Sequence, residues 1–146
     1  MPTSQYSEQF TLELYKKEHD VENDTLKAIL MTTGFTFDPE NHATYADVSA
    51  SEIANGNGYT TGGQALTSVA ASLSGGVVTI DCDDPTWTAS GGAIADCVAM
   101  LVYNDSHASK TVVCCLEYGV TYGTATGTNH IVDCSNGLIK GTPNPT

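Results

Sequence analysis

Arginine is absent from this sequence of 146 residues, and five lysines stand against 17 aspartates and glutamates. The formal net charge is therefore −12. Proteins that bind DNA or RNA neutralise phosphates with lysine and arginine, and arginine supplies the favoured bidentate contact. We therefore expect no nucleic-acid partner. One interpretation of the acidity is that it keeps the chain soluble. Another is that it also holds copies apart until a specific surface captures them.

Long apolar runs and a secretory signal are also missing. No stretch approaches the ~20 apolar residues that a membrane-spanning helix needs, and residues 1–17 lack a basic region followed by an apolar one. We therefore expect no membrane partner and synthesis in a reducing cytosol, where thiols stay free. None of the cysteines lies in a CxxC pair, and most fall in strand-like runs, which favours small buried side chains over metal ligands. The cysteines are Cys82, Cys97, Cys114, Cys115 and Cys134.

Motifs of catalysis are lacking as well: the sequence has no GxGxxG, GxxxxGK[ST], GxSxG or HExxH. Cys114 or Cys115, His130 and Asn136 do follow the Cys-His-Asn order of papain-like enzymes, but their spacing and flanking residues differ. Both thiols lie in an apolar run, where burial disfavours the reactive thiolate. We therefore expect no catalytic residues and a protein that is not an enzyme.

Metal ligands are scattered rather than clustered. Cys114 and Cys115 are neighbours in a predicted strand, so their side chains point to opposite faces and cannot share an ion. Asp81, Asp83 and Asp84 could bind calcium, but the segment does not fit an EF-hand loop, and a solvated turn is favoured. The sequence therefore predicts no metal site and no cofactor. The histidines are spread along the chain at His19, His42, His107 and His130.

The strongest positive signal is a pair of apolar runs, Cys97–Tyr103 and Thr111–Leu116, joined by the polar segment Asn104–Lys110. Two strand-like runs with a short polar connection predict an antiparallel hairpin. Neither run alternates cleanly between apolar and polar residues, so we expect both faces of the hairpin to be covered. Trp87, the single tryptophan, is predicted to anchor the core.

Turn residues divide the remaining chain into short strands, seven or eight in all, with two short helices on the flanks. Tyr6, Phe10 and Leu14 recur at helical spacing and predict a first helix over about residues 6–17, with Ser7 as N-cap. A second helix is predicted over residues 45–55, with a capping box formed by Ser49 and Glu52 and with Gly56 after its end.

These elements predict one mainly β domain over residues 1–146, of β-sandwich or jelly-roll type. Residues 1–5 are expected to be loose, and residues 122–127 to form a turn. A strand is predicted over residues 64–70, and others over residues 25–31, 77–81, 129–134 and 138–140. The tail, about residues 141–146, is expected to be free.

Taken together, several segments resemble a recurring small virion protein of tailed bacteriophages. The matching segments are Asp24–Leu30 (DTLKAIL), Gly58–Gly63 (GYTTGG), Thr86–Thr88 (TWT), Ala99–Asn104 (AMLVYN) and Gly137–Ile139 (GLI). Their order and spacing carry the resemblance, which extends over about residues 6–140. The number of cysteines and the absence of arginine depart from that family's pattern.

The resemblance implies a structural protein of the particle, most simply a capsid decoration (cement) protein on the outside of the assembled head. It would be made in the cytoplasm of the bacterial host and would bind the major capsid protein and itself, as a homo-dimer or homo-trimer. The first helix and residues 45–55 are candidate contacts. The alternative is a tail or head-fibre component that binds a receptor or glycan, although the sequence has no heptad or collagen-like repeat for a stalk.

Overall fold

Residues 3–141 are described by a computed structural model, and they are mainly β. The strands are β1 (Thr3–Tyr6), β2 (Leu26–Thr32), β3 (Gln64–Ala65), β4 (Ala70–Ser74), β5 (Val77–Asp81), β6 (Thr86–Thr88), β7 (Ile94–Asn104), β8 (Val112–Thr124), β9 (Asn129–Ile131) and β10 (Ile139–Gly141). The helices are α1 (Glu8–Tyr15) and α2 (Tyr45–Val48), and a 3-10 turn, Ser49–Ser51, follows α2. No helix in this range is long and apolar enough to cross a membrane.

The predicted central hairpin is confirmed. β7 and β8 pair antiparallel, with Met100 opposite Leu116, inside a five-stranded sheet of order β1-β8-β7-β2-β3. Both faces of the hairpin are covered, as the unbroken apolar runs predicted. Side chains alternate across a strand, and Cys114 and Cys115 accordingly enter two different apolar clusters.

The two faces of this sheet are sealed by different parts of the chain. On one face, Met100 and Cys114 share a cluster with Trp87 and Leu138 from the later segments. On the other, Leu101 and Cys115 pack with residues from the loop and short helices between residues 33 and 53. Trp87 is only 4% exposed, which confirms its place in the core, and all five cysteines are free and buried.

Two smaller antiparallel sheets, of order β10-β5-β4 and β6-β9, complete the architecture. Hydrogen bonds hold the segments next to the three-stranded sheet against the five-stranded one and against the loop that follows it. At one edge the Ser4 hydroxyl donates to the carbonyl of Leu138, just before β10. Beyond the other edge the Asp83 amide, which follows β5, donates to Thr67 O at 3.0 Å. β4 and β5 are joined by a two-residue turn, Gly75–Gly76, in which both residues have positive φ, as a tight hairpin requires.

The N-terminal predictions need correction. Residues 3–5 are not loose, because β1 pairs with β8 and places Tyr6 opposite Cys114. Helix α1 is correspondingly shorter than predicted, and the proposed stripe is wrong: Phe10 is buried, whereas Tyr6 and Leu14 are exposed. Ser7 does occupy the N-cap position, but its hydroxyl makes no capping bond.

The second helix also differs from its prediction. It ends at Val48, and its capping box is formed by Thr44 and Asp47, whose carboxylate accepts the Thr44 amide at 2.8 Å. Glu52 bonds to tyrosines instead, so it cannot serve as the predicted capping residue. Gly56 has positive φ but lies beyond the end of the 3-10 turn.

Other strand boundaries differ from the predicted ones, in part because of how the strands pair. β8 continues through residues 122–124, where a turn was predicted, because Tyr122 pairs with Cys97 of β7. The strand predicted over residues 64–70 divides into β3, which pairs with β2, and the beginning of β4. The strand predicted over residues 129–134 ends at Ile131 as β9. β10 includes Gly141, and the rest of the predicted tail, residues 142–146, lies outside the described residues.

Segments that carry the resemblance meet in the core. The Tyr59 hydroxyl accepts the Leu30 amide at 3.2 Å, and its ring lies 6.3 Å from that of Trp87. The Tyr103 hydroxyl donates to Gly62 O at 2.7 Å. These residues therefore hold strands and loops to one another, so their spacing reflects the requirements of folding.

Gly63 provides a test of this packing. Its φ is +74°, and a Cβ at this position would lie 1.9 Å from the carbonyl oxygen of Ala28. Because a side chain would both strain the backbone and push β2 away, we expect Gly63→Ala to lower the free energy of unfolding by roughly 2–4 kcal/mol. Urea denaturation measures this change.

Gly34→Ala is the matched control, since no atom lies within 4 Å of a Cβ there. It should change the free energy of unfolding by less than about 0.5 kcal/mol. Equal effects of the two substitutions would show that the close approach of Gly63 to β2 does not matter for stability.

Candidate binding surface

The second half of β8 leaves the core and carries apolar side chains into solvent. Val120 is 65% exposed, Ile131 on β9 is 54% exposed, and Tyr122 is also exposed. With Tyr118 these residues line a shallow cleft of about 220 Å³. Tyr118, Val120 and Tyr122 all line this cleft, although β8 bulges between Glu117 and Tyr122, where Gly119 has positive φ. We call these residues, together with those that line a second cleft, the β8 surface. The residues of the second cleft are Phe35, Thr36, Val98, Glu117, Gly119, Val120 and Thr121.

A second cleft of about 300 Å³ lies against the other face of the same strand segment. Phe35, Val98 and Gly119 contribute to its walls, and Val120 lines both clefts. The Phe37 amide donates to the Glu117 carboxylate at 3.1 Å, which ties the loop that carries Phe35 to β8. Two concave apolar sites therefore flank one strand.

The surroundings of the two clefts are acidic. Glu117 lines one cleft and Asp133 the other, and no lysine lines either. Lys27 and Lys110 lie elsewhere, where both form ion pairs with Asp105. A complementary partner would therefore present apolar side chains with neutral or positively charged groups around them.

His130 lies under the first cleft and contacts two of the tyrosines that line it. It is buried, and its Nδ1 lies 3.0 Å from the Thr124 hydroxyl while its Nε2 lies 3.3 Å from that of Tyr118. The ring also meets Trp87 and Tyr122 edge-on, at centroid distances of 5.9 and 4.8 Å. Burial lowers the pKa of His130 to about 4, so the ring is neutral at neutral pH. These contacts fix the tyrosines that form the first cleft.

The structure also assembles a group that the sequence did not reveal. Glu13, His19 and His107 offer ligand atoms that all lie within 4.8 Å of one another. His19 Nε2 is 2.7 Å from Glu13 Oε2, and the Thr111 hydroxyl donates to the same oxygen at 2.7 Å. Burial alone would raise the pKa of Glu13, but hydrogen bonds from Gln9, Thr111 and His19 bring it below its usual value. The donor types would suit a divalent metal.

The hydrogen-bond partners of the two His19 ring nitrogens argue against a metal at this cluster. The Ser106 amide donates to Asn104 Oδ1 at 2.9 Å, which orients the Asn104 side chain so that its NH₂ group faces His19 Nδ1 at 2.9 Å and Asp24 at 2.6 Å. In this orientation the Asn104 NH₂ group donates to His19 Nδ1, which assigns the ring N–H to Nε2, facing Glu13. A histidine bound to metal through Nε2 would need an acceptor at Nδ1 instead. The cluster is a buried hydrogen-bond network that fastens α1 to the β7–β8 turn.

The Cys-His-Asn order does not form a catalytic site. His130 lies 3.8 Å from the sulfur of Cys97, not beside Cys114 or Cys115, and Asn136 lies in an exposed turn. Burial raises the pKa of the Cys97 thiol to about 12, and it raises the pKa values of Cys114 and Cys115 as well. None of these thiols is therefore an activated nucleophile.

The acidic corner keeps its carboxylates apart. Asp81 accepts the Cys82 amide at 2.9 Å, Asp83 accepts the Ser68 hydroxyl at 2.7 Å, and Asp84 accepts the Cys134 amide at 2.8 Å. Each carboxylate serves a different backbone or side-chain donor, so the three do not form a shared calcium site.

Two of the seven tyrosines bond to Glu52, and a third stacks on one of them. The Glu52 carboxylate accepts the hydroxyls of Tyr45 and Tyr59, each at 2.6 Å, and the Gly62 amide at 2.7 Å. The ring of Tyr103 stacks on Tyr45 at 4.7 Å. Burial is the largest cause of the raised pKa values of all three tyrosines, that of Tyr103 to about 12. The arrangement braces the loop around residues 58–63 and is not a surface aromatic cluster.

No family model matches the chain, and no curated protein or solved structure matches it either. The resemblance to phage virion proteins therefore rests on the sequence segments quoted above.

His130 predicts a specific dependence of stability on pH. Its pKa is about 4 in the folded chain against 6.5 for a free histidine. The unfolded state thus binds the proton more readily, and the free energy of unfolding should fall as pH is lowered from about 6.5 towards 4, by at most about 3 kcal/mol. Urea denaturation at several pH values in this range measures the change.

The variant His130→Gln removes this titration. Its free energy of unfolding should be lower than wild type at about pH 7, because the contacts with Thr124 and Tyr118 are altered, but should decline less steeply below about pH 6.5. Parallel declines for the two proteins would mean that His130 is not the buried neutral group described above.

Proposed function

We propose that this chain is a capsid decoration (cement) protein, which binds the outside of an assembled bacteriophage head through the β8 surface and stabilises it. The observation that carries the proposal is the exposed apolar surface around Val120, Tyr122 and Ile131 on a chain with a net charge of −12. Contiguous exposed apolar side chains on a strongly charged protein mark a site of protein contact.

The structure of the surface suits a protein partner better than a small substrate. Its clefts are shallow, and the strand that separates them is rooted in the core, where residues 112–116 are all buried. A rigid surface loses little conformational freedom on binding. The buried thiols and the neutral His130 offer no activated nucleophile or base in the clefts.

Charge favours the outer face of the head. The packaged DNA is negatively charged, and a chain without arginine and with a net charge of −12 is repelled by it. Glu117 and Asp133 at the clefts would be complementary to neutral or basic groups on the major capsid protein.

Stabilisation would follow from mass action. A protein that binds the assembled lattice, and not its free subunits, shifts the equilibrium towards the lattice. Two clefts on either side of one strand allow Val120 and its neighbours to take side chains from two adjacent capsid subunits at once. Bridging of this kind is possible only where two capsid subunits lie side by side. The chain would therefore bind the assembled lattice more tightly than free subunits.

The finer fold assignment belongs to the same proposal. We take the five-stranded sheet as one layer and the two smaller sheets as the other layer of a β-sandwich, which is common in virion proteins of jelly-roll type. The candidate contacts first suggested by sequence, α1 and residues 45–55, remain a second surface to test.

The test uses heads that lack this chain, from the phage whose genome encodes it, and the purified chain added back. We expect binding of on the order of hundreds of copies per head, as symmetric lattice sites require, and release of DNA at a higher temperature. Quantitative gel densitometry counts the copies, and a DNA-binding dye reports release. A handful of copies would contradict decoration and favour the tail or head-fibre alternative.

The double variant Val120→Asp, Ile131→Asp tests the surface itself. It should lower the occupancy of heads by about tenfold or more, because unpaired carboxylates would be buried in the contact. Both positions are exposed, so folding, checked by urea denaturation, should be preserved. Leu12→Asp on α1 is the comparison, since Leu12 is also apolar and 49% exposed. Loss of binding by Leu12→Asp alone would move the contact to α1.

A further inference from the structure

β4 is an edge strand with no covering element. All five of its residues are exposed, Leu73 is 69% exposed, and β5 is its only partner strand in the described part of the chain. Natural edge strands are usually protected by charged side chains, prolines or bulges, since an open edge can pair with another strand. β4 (AASLS) contains no charged residue and no proline, and its pairing with β5 is regular.

The sequence segment that contains β4 is also free of charged residues, although Asp81 on β5 lies opposite Ala70. Residues 53–80 include no lysine, aspartate or glutamate, which is the longest such stretch in the sequence. In a chain with a net charge of −12, two copies repel wherever acidic groups face each other. β4 itself adds nothing to this repulsion, so its edge is a place where a second copy can approach with less of it.

One acidic side chain does reach this edge. The carboxylate of Glu22 accepts the Ala71 amide at 2.9 Å, so this amide points away from β5. Because the amides of an antiparallel strand alternate in direction, that of Leu73 also points to the open side. Glu22 thus occupies one of the backbone donors that another strand would use.

We propose that β4 is a self-association edge, through which two copies of this chain pair antiparallel about a twofold axis near Ser72, with Glu22 as a displaceable cap. In this register Ala71 of one copy exchanges backbone hydrogen bonds with Leu73 of the other. Leu73 is 69% exposed, so pairing also covers part of its side chain with the strand of the other copy. The three-stranded sheets of the two copies (β10-β5-β4 in each) then become one continuous sheet. The twofold axis limits this assembly to two copies.

The inference does not rest on the proposed function. Its test uses the purified chain alone, whereas the decoration test uses heads, so either can fail without the other. Sedimentation velocity over a range of protein concentrations gives the monomer–dimer equilibrium. Wild type should show a reversible dimer at high concentration, and sedimentation as a monomer by wild type and Glu22→Ala at every concentration would overturn the proposal.

Glu22 supplies a pair of variants that separates strand pairing from charge. Glu22→Ala frees the Ala71 amide and should strengthen the dimer several-fold. Glu22→Gln removes the same charge but keeps an oxygen that can accept the amide, so its effect should be clearly smaller. Equal effects of the two variants would mean that only charge controls association, which contradicts the proposed cap.

Leu73→Lys tests the edge directly, because it places a positive charge from each copy beside the axis and should weaken the dimer by about tenfold or more. Leu12→Lys is the matched control, an equivalent exposed leucine on α1. It should leave the equilibrium unchanged. Equal weakening by the two lysine variants would show that general surface hydrophobicity, and not the β4 edge, drives association.

Discussion

The burial of both faces of the β7–β8 hairpin is the constraint on which the rest of the structure depends. An apolar strand pair of this kind must be covered twice, and the chain supplies two different covers: the later strands around Trp87, and the loop with the short helices between residues 33 and 53. Cys114 and Cys115 are poor nucleophiles for the same reason, because sealing raises their pKa values. The hairpin is thus a support, and chemistry in its interior is disfavoured.

One strand connects this support to the candidate binding surface. β8 is buried over residues 112–116 and exposed from Gly119 to Gly123, so its second half is an extension of the core into solvent. Val120 therefore projects from a strand whose position is set by the sealed half. The β8 surface and the β4 edge share no residue, so the proposed contact with a phage head and the proposed contact between copies can be tested separately.

Local sequence patterns predicted the elements whose folding is local. The apolar runs predicted the β7–β8 hairpin, and the lone Trp87 predicted a core anchor. β1 was missed because the segment TSQY has no strand pattern of its own and forms only against β8.

Sites built from distant residues were missed for a related reason. Glu13 and His107 come from opposite ends of the chain, and nothing in the spacing of either shows that they meet. The β8 surface was hidden too, because residues 122–124 read as a turn until their pairing with β7 is known. Alternation along residues 118–122 was the one available signal, with Tyr118, Val120 and Tyr122 at every second position.

The segments behind the family resemblance lie mainly in the interior. Tyr59, Gly62 and Tyr103 bind one another or the backbone of other strands, and a side chain at Gly63 would collide with β2. Such residues determine how the chain folds. Val120 and Leu73 lie outside these segments, on the two proposed contact sites. Related chains could therefore share this framework and differ in their partners.

The pairing of β1 with β8 has a consequence for how the protein is made. Thr3 lies opposite Glu117, so β1 has no partner strand until more than a hundred further residues have been synthesised. Contacts of such long sequence separation slow folding. β1 therefore stays unpaired until β8 has been synthesised, and this edge of the five-stranded sheet forms only then.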